Sequence, residues 1–416
     1  MISNHQAGEP SHYRWVMLTV YVLMALGLWM CWFAQAPLLN GYWGQPPLSI
    51  SVRWAGLLLS LPGLVAIILA VATGRWVDTI GVRKMMILSG VFGSMGFGLR
   101  PLFVASFVGQ AILTVIAGYG LCILTACLPS TMIQWFGHEK GHTYIGIGAG
   151  SYFVGAGLGV LVTANLFGPL GAEGVFTVWS IVMVAVTIIW AIFARDKAEP
   201  GTAQRAAFGH EFRKVMQTGS SWLMLVYAIF ISGISVCAMQ YLPGQMTVAH
   251  HLPPALAGSV VGIYAIAMGI GLAVLPALAG RIGKKRISVI LCSITLVIWI
   301  IYMIVPSWSA ASLLIFAVSL GFFFEAPWAT GLALLESLPG VTPANVGVAA
   351  GLWTMAVNAG VFFLPLIFGW ILASTGGADG TGGLWAILLG YGAGLLAMLA
   401  ARDDHVTEVE ASKQQV

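Results

Sequence analysis

Apolar runs of about 20 residues follow one another along the whole chain, separated by short polar connections. A hydrocarbon core about 30 Å thick asks for that length of helix. The runs are continuously apolar instead of alternating, so they predict membrane helices and not barrel strands. Twelve spans are expected, over residues 15–38, 52–74, 85–105, 107–133, 143–167, 174–194, 219–243, 254–279, 287–305, 309–335, 346–373 and 383–401. Residues 101–137 carry no formal charge, so the connection between the third and fourth spans must be very short. The hydrophilic stretch 195–218 divides the pattern into a half over 1–194 and a half over 219–401, with a tail over 402–416.

Charge placement sets an orientation for this layout. With both termini on the cytoplasmic side, 16 of the 18 Lys and Arg residues fall in cytoplasmic connections, as the positive-inside rule requires. Arg53 and Arg100 are left over, one at the external mouth of the second span and one inside the third. Composition agrees with the pattern: 59% of residues are hydrophobic and 8% charged, against about 25% charged in soluble domains.

The slightly basic balance therefore needs no nucleic acid to explain it. The N-terminus lacks a short apolar region with a small-residue cleavage site, so the first span is expected as an uncleaved anchor. Cys31, Cys122, Cys127, Cys237 and Cys292 all fall in predicted spans without a CxxC pair, which predicts packing residues and no metal site. There is no phosphate-binding G-x-x-x-x-G-K-[ST] loop and no nucleophile set or H-E-x-x-H pair, so no cofactor and no enzymatic activity are expected.

One connection carries a motif. Gly74, Asp78, Gly81, Arg83 and Lys84 lie in the stretch 74–84 between the second and third spans, where glycines allow a tight turn and cations hold it at the cytoplasmic surface. A partial echo, Gly280-Arg281-Ile282-Gly283-Lys284-Lys285-Arg286, follows a later span, with Gly283 lying 202 residues after Gly81. Cys31, Gln35 and Pro37 against Cys237, Gln240 and Pro243 form a fainter second echo.

Twelve spans, a central loop and this motif resemble the major facilitator superfamily, whose corresponding loop follows G-x-x-x-D-[RK]-x-G-x-[RK]-[RK]. Thr79 stands where a cation is usual, and Gly280 stands at the second-half place of Asp78. The resemblance implies an all-α integral membrane fold of two six-helix halves. It also implies that Asp78 is a gate residue meeting the start of the eleventh span, near Asn345. The antiporter signatures of the family are absent: Val115 occupies the place of the coupling Arg before Gly118-Tyr119-Gly120, and the run Gly146 to Gly159 has no proline. That run predicts a sliding or rocking interface with another helix, with ordinary tight packing as the alternative.

Two formal charges lie within spans, where a charge near the bilayer centre costs roughly 3 kcal/mol or more. Glu325 sits mid-span in Phe322-Phe323-Phe324-Glu325-Ala326-Pro327-Trp328. Pro327 cannot donate to the Phe323 carbonyl, which predicts a kink at the carboxyl. Burial disfavours a charged carboxylate, so Glu325 suits a proton carrier; alternatives are a partner for a cationic substrate and a neutral hydrogen-bonding link between helices. Arg100, followed by Pro101, is expected to snorkel or pair within its half. An Arg at this point also has a weaker resemblance to the cyanate-transporter-like and anion-porter branches, in which Arg100 or Arg53 would attract an anion.

Other candidates for a central pocket are Trp32, Gln35, Tyr119, Tyr152, Gln240, Tyr264, Trp328 and Asn358, with Trp29, Tyr241 and Trp353 beside them. Trp43, Trp54, Trp135, Trp222 and Trp308 lie near span ends as an interfacial belt. His138 with His142 and His250 with His251 fall in loops and are expected as solvated groups, not metal ligands. The expectation is a monomeric, multi-pass carrier of the cytoplasmic membrane, working by alternating access on a small organic solute with protons or another ion. An exporter of toxic compounds and a non-transporting sensor are the alternatives.

Overall fold

The computed structural model describes residues 12–46, 48–51, 54, 56–196, 208–305, 308–342, 345–375 and 381–402. Among these residues all regular structure is helical, and eleven helices are long and apolar enough to cross a membrane. They are α1 (Tyr13–Leu38), α2 (Leu57–Val77), α3 (Val82–Phe103), α4 (Phe107–Gly137), α5 (Thr143–Phe193), α6 (Gly219–Ala249), α7 (Pro254–Ile282), α8 (Lys284–Ile304), α9 (Ala310–Leu335), α10 (Val346–Ser374) and α11 (Gly382–Ala400). At 51 residues α5 is more than twice the length of one crossing. It is interrupted at Gly171, whose φ of 65° and ψ of −178° are not helical. A short helix, Phe208–Val215, precedes α6.

The motif stretch is more helical than a turn. Helix continues from α2 to Ile80, and the chain reverses at one residue, Gly81, with φ 93° and ψ 154°. Gly74 lies inside the helix, so of the two glycines only Gly81 needs left-handed backbone. Gly283 has nearly the same conformation, φ 97° and ψ 141°, so the second-half echo is a repeated backbone turn even though the acid is missing.

Several contacts between described residues join the first five helices to the last six. Along α5 and α7, Gly157 faces the Gly262 carbonyl, and Gly150 and Gly269 face each other's carbonyls. Asn165 donates from Nδ2 to the Ser259 hydroxyl at 2.9 Å near one end of this seam. Small residues allow such backbone-to-backbone approach in a membrane, where packing supplies what the hydrophobic effect does not.

A second contact joins α2 and α10, where a Cβ on Gly63 would lie 2.9 Å from the Asn358 carbonyl. A third sets Gly56 against Gln240 and Tyr241 of α6.

The α2/α10 contact does not run the length of the helices. Gly74 lies three helical turns beyond Gly63 on the same face, and Gly347 and Gly351 repeat the Asn358 face of α10. A Cβ on Gly74, Gly347 or Gly351 meets no atom within 4 Å. The two helices therefore splay apart toward the end of the bundle that carries Gly81, Gly283 and the basic residues.

Gly74→Ala should then leave the fold intact, and removing a helix-interior glycine would raise stability by up to about 1 kcal/mol. A melting temperature several degrees below wild type would show that this face is packed in the working protein.

Candidate functional site

The predicted kink is present and falls on the acid. Helix α9 consists of Ala310–Phe324 and Ala326–Leu335, with Glu325 between them at φ −96° and ψ −15°. Trp328 N–H bonds to the Glu325 carbonyl at 2.9 Å instead of one residue further back, so the Phe324 carbonyl loses its helical donor. Tyr391 of α11 supplies one, donating its hydroxyl to Phe324 O at 2.9 Å. Tyr227 of α6 donates to Pro327 O at 3.0 Å. The break is thus held from two neighbouring helices.

The carboxyl at this break is enclosed. Glu325 is 2% exposed, and its Oε2 has no hydrogen-bond partner. The Ser235 hydroxyl of α6, which donates to Ser232 O at 2.9 Å, lies beside it. The phenol of Tyr264 on α7, also without a partner, lies within electrostatic reach, and its ring meets Phe324 edge-on at 5.8 Å. Among the described residues no cation pairs with Glu325; the ion pair they form is Lys214 with Glu211. A carboxyl here is cheapest to keep as the neutral acid, because an unpaired buried charge costs several kcal/mol. Glu325 therefore lies in a polar island within the second half, among α6, α7, α9 and α11, instead of lining open space.

The other candidates divide by what holds them. Tyr152 is stacked on Trp29 at 5.1 Å with 2° between planes, and its hydroxyl meets that of Tyr21 at 2.6 Å. Trp32 donates to Leu59 O at 3.1 Å. Asn358 donates to Thr354 O of its own helix at 2.8 Å. Tyr119 lies edge-on to Phe92 and Trp76, and Trp328 lies edge-on to Trp353.

Gln35 and Gln240 differ from these. Both are buried, and Gln35 Oε1 and both amide atoms of Gln240 lack partners.

Arg100 is not at a mouth. It is 1% exposed, donates to Thr114 Oγ1 at 2.8 Å, and lies against the rings of Phe97 and Phe176 at 4.9 and 5.7 Å. It is enclosed by α3, α4 and α5, because the chain tightens into a 3-10 turn at Arg100–Phe103 and draws the side chain inward. Arg53 lies outside the described residues, as do the side chain of Asp78 and those of His138 and His142. The Asn345 side chain is taken up by its own loop, accepting from Thr342 N at 2.7 Å and donating to Gly340 O at 2.9 Å. Trp43 is fully buried and donates to Val104 O, so it is a core residue and not part of the belt.

Several anchors at the basic end were not legible in the motif. Arg83 N–H donates to Asp196 Oδ1 at 2.9 Å, so an acid 113 residues away caps the start of α3. Arg83 Nη2 reaches Ala191 O at 3.2 Å, while Lys84 is exposed. Lys284 caps α9 through Ala333 O at 3.0 Å, and Lys285 reaches Leu399 O of α11 at 3.0 Å. The signal was the position of each cation one turn from a helix end, which orientation alone also explains.

At the opposite end, a cavity of about 420 Å³ lies between α6, α8 and α11, lined by Gln245, His250, Tyr302 and Trp385 among others. It is remote from Glu325 in the fold. His250 is not freely solvated: its Nε2 lies 3.1 Å from Tyr302 Oη, which donates to Gln245 Oε1 at 2.6 Å. Burial, and then the neighbouring His251, hold its imidazole below the ordinary value of 6.5. The unfolded chain thus binds the proton more tightly, and stability should fall as pH drops from 6.5 toward the lowered folded value. A His250→Gln variant should lose part of that dependence in melting curves taken across this window; an unchanged pH profile would remove His250 as its source.

The sequence model of the Major Facilitator Superfamily matches residues 17–249 and again 223–415. The chain belongs to the major facilitator superfamily. The superfamily is one of membrane transporters and not of enzymes. Solved superfamily structures share the fold at low identity. A point mutant of the nucleoside transporter NupG aligns with TM-score 0.74 at 13% identity over 92% of this chain and 98% of its own. A point variant of the Escherichia coli fucose:proton symporter FucP aligns with TM-score 0.66 at 13% identity over 94% and 98%. A bacterial homologue of the human lysosomal transporter Spinster, inward-facing and unoccupied, gives 0.67 at 15% identity over 94% of each chain.

Superfamily relatives by sequence are partial matches. An uncharacterised protein of Campylobacter jejuni is 23% identical over 52% of this chain and 64% of its own length. A probable anion transporter of Oryza sativa is 25% identical over 31% of this chain and 30% of its own length.

Proposed function

We propose that this superfamily member is a secondary active transporter that moves a small organic solute across the cytoplasmic membrane by alternating access, driven by protons through Glu325. The observation that carries the reading is Glu325 itself: a buried carboxyl with a free oxygen, no cation among the described residues paired with it, and a helix broken at its own residue. Intramembrane acids are costly and are kept where they work. In this arrangement the neutral acid fits the enclosed state. Straightening or sliding of α9 against α6 would expose the carboxyl and release its proton.

Further features support the scheme. Reading α5 as two crossings separated at Gly171 gives twelve spans, in proposed halves 1–194 and 219–401 joined by 195–218, and both termini are then cytoplasmic. The basic end is then cytoplasmic. The splay of α2 from α10 toward that end, with Gly63 closed on α10 and Gly56 on α6 at the other, is the form of an inward-open state. Asp78 serves as the cytoplasmic gate. The fucose:proton symporter offers a precedent for proton drive within the fold.

The test is uptake into proteoliposomes under an imposed inward proton gradient, using a labelled metabolite panel. Accumulation that collapses on adding a protonophore supports the reading. Equilibration that ignores both gradient and protonophore overturns proton drive.

A further inference from the structure

The closed end of the seam between the halves holds a second set of unpaired polar atoms, separate from the Glu325 island. Gln35 follows the end of the Tyr13–Phe33 helix and begins the short helix Ala36–Leu38, which packs on α6. Gln240 lies on α6 three residues before Pro243, as Gln35 lies two before Pro37. Both side chains are at most 1% exposed. Gln35 uses Nε2 on the Trp32 carbonyl at 3.0 Å and leaves Oε1 free. Gln240 leaves Oε1 and Nε2 free, and its Nε2 abuts Gly56 of the first half. Neighbouring polar groups are already engaged, since Tyr241 donates to Pro365 O at 3.1 Å.

We infer that Gln35 and Gln240 form a specificity subsite for an uncharged solute group that both donates and accepts hydrogen bonds, a hydroxyl or a primary amide. This rests on the transporter reading and adds the substrate class. The free atoms are two acceptors, the amide oxygens, and one donor, the Gln240 NH2. A carboxylate offers no donor and would face two carbonyl oxygens; a quaternary ammonium offers neither donor nor acceptor. A primary amide meets all three, and a hydroxyl meets two of them, donating to one amide oxygen and accepting from the NH2. Buried polar atoms without partners carry a standing cost, which a matching ligand removes and a mismatched one does not. The subsite spans the two halves, so filling it couples recognition to closure of that end.

The experiment is thermal stabilisation of the purified full chain by three uncharged probes, uridine, fucose and nicotinamide, and two charged ones, acetate and tetramethylammonium. Wild type is compared with Gln240→Leu, Gln35→Leu and the shortened amide Gln240→Asn. At least one uncharged probe should stabilise the wild type, with apparent Kd raised tenfold or more in either leucine variant and less in Gln240→Asn. Melting of each variant without probe reports folding separately, and Gln240→Asn stands in if a leucine variant fails to fold. The inference is overturned if no uncharged probe stabilises the wild type, if only charged probes do, or if every variant responds as wild type does. Proton-driven uptake surviving in such a case would leave the transporter reading in place; its absence would remove both.

Discussion

Replacing Glu325 by Gln should abolish gradient-driven accumulation while leaving exchange of labelled for unlabelled solute across proteoliposomes near the wild-type rate. The substitution keeps shape and hydrogen-bonding capacity and removes only the proton that can leave. In the enclosed state the introduced amide resembles the neutral acid, so the fold should tolerate it: Tyr391 and Tyr227 still hold the broken helix by its carbonyls. Accumulation should drop at least a hundredfold, because uphill movement needs the acid to load on one side and unload on the other. Uptake by the Glu325→Gln protein that keeps its wild-type pH dependence would rule out Glu325 as the proton carrier. Loss of exchange together with accumulation would place the carboxyl on the substrate.

The second large effect is expected at Gly157. A Cβ there would sit against the Gly262 carbonyl and 2.8 Å from the Ile266 backbone nitrogen, and neither can turn aside as a flexible side chain would. Gly157→Leu must push α5 away from α7 along their shared seam, at a cost of about 1–3 kcal/mol for overpacking. Melting temperature and uptake should fall together. Uptake lost at an unchanged melting temperature would mean that the face moves past its neighbour during the cycle. Neither changing would mean that the two helices are not in contact in the membrane.

Much of the helical layout could be read from the sequence, because a membrane span is a local property: length and apolarity suffice, and α6 to α11 begin within three residues of their expected starts. The kink at Glu325 was equally local, set by Pro327 four residues after Phe323. What could not be read depends on distant parts of the chain. Tyr391, Tyr227 and Ser235 look like ordinary span residues until packing brings them to one helix break. Asp196, placed in the linker by its polarity, caps a helix that begins at Val82. Polarity and a faint echo mark Gln35 and Gln240 in the sequence, whereas what distinguishes them from Tyr152 and Trp32 is the absence of partners, which no sequence pattern records.

The seam between the halves has one more consequence. Its α5/α7 contact is backbone against backbone, with the Asn165–Ser259 hydrogen bond beside it, and no ion pair between described residues crosses it. Recognition between the halves is then a matter of surface shape. Two separately synthesised polypeptides divided between Asp196 and Phe208 should find each other in the bilayer, and their association should be indifferent to ionic strength.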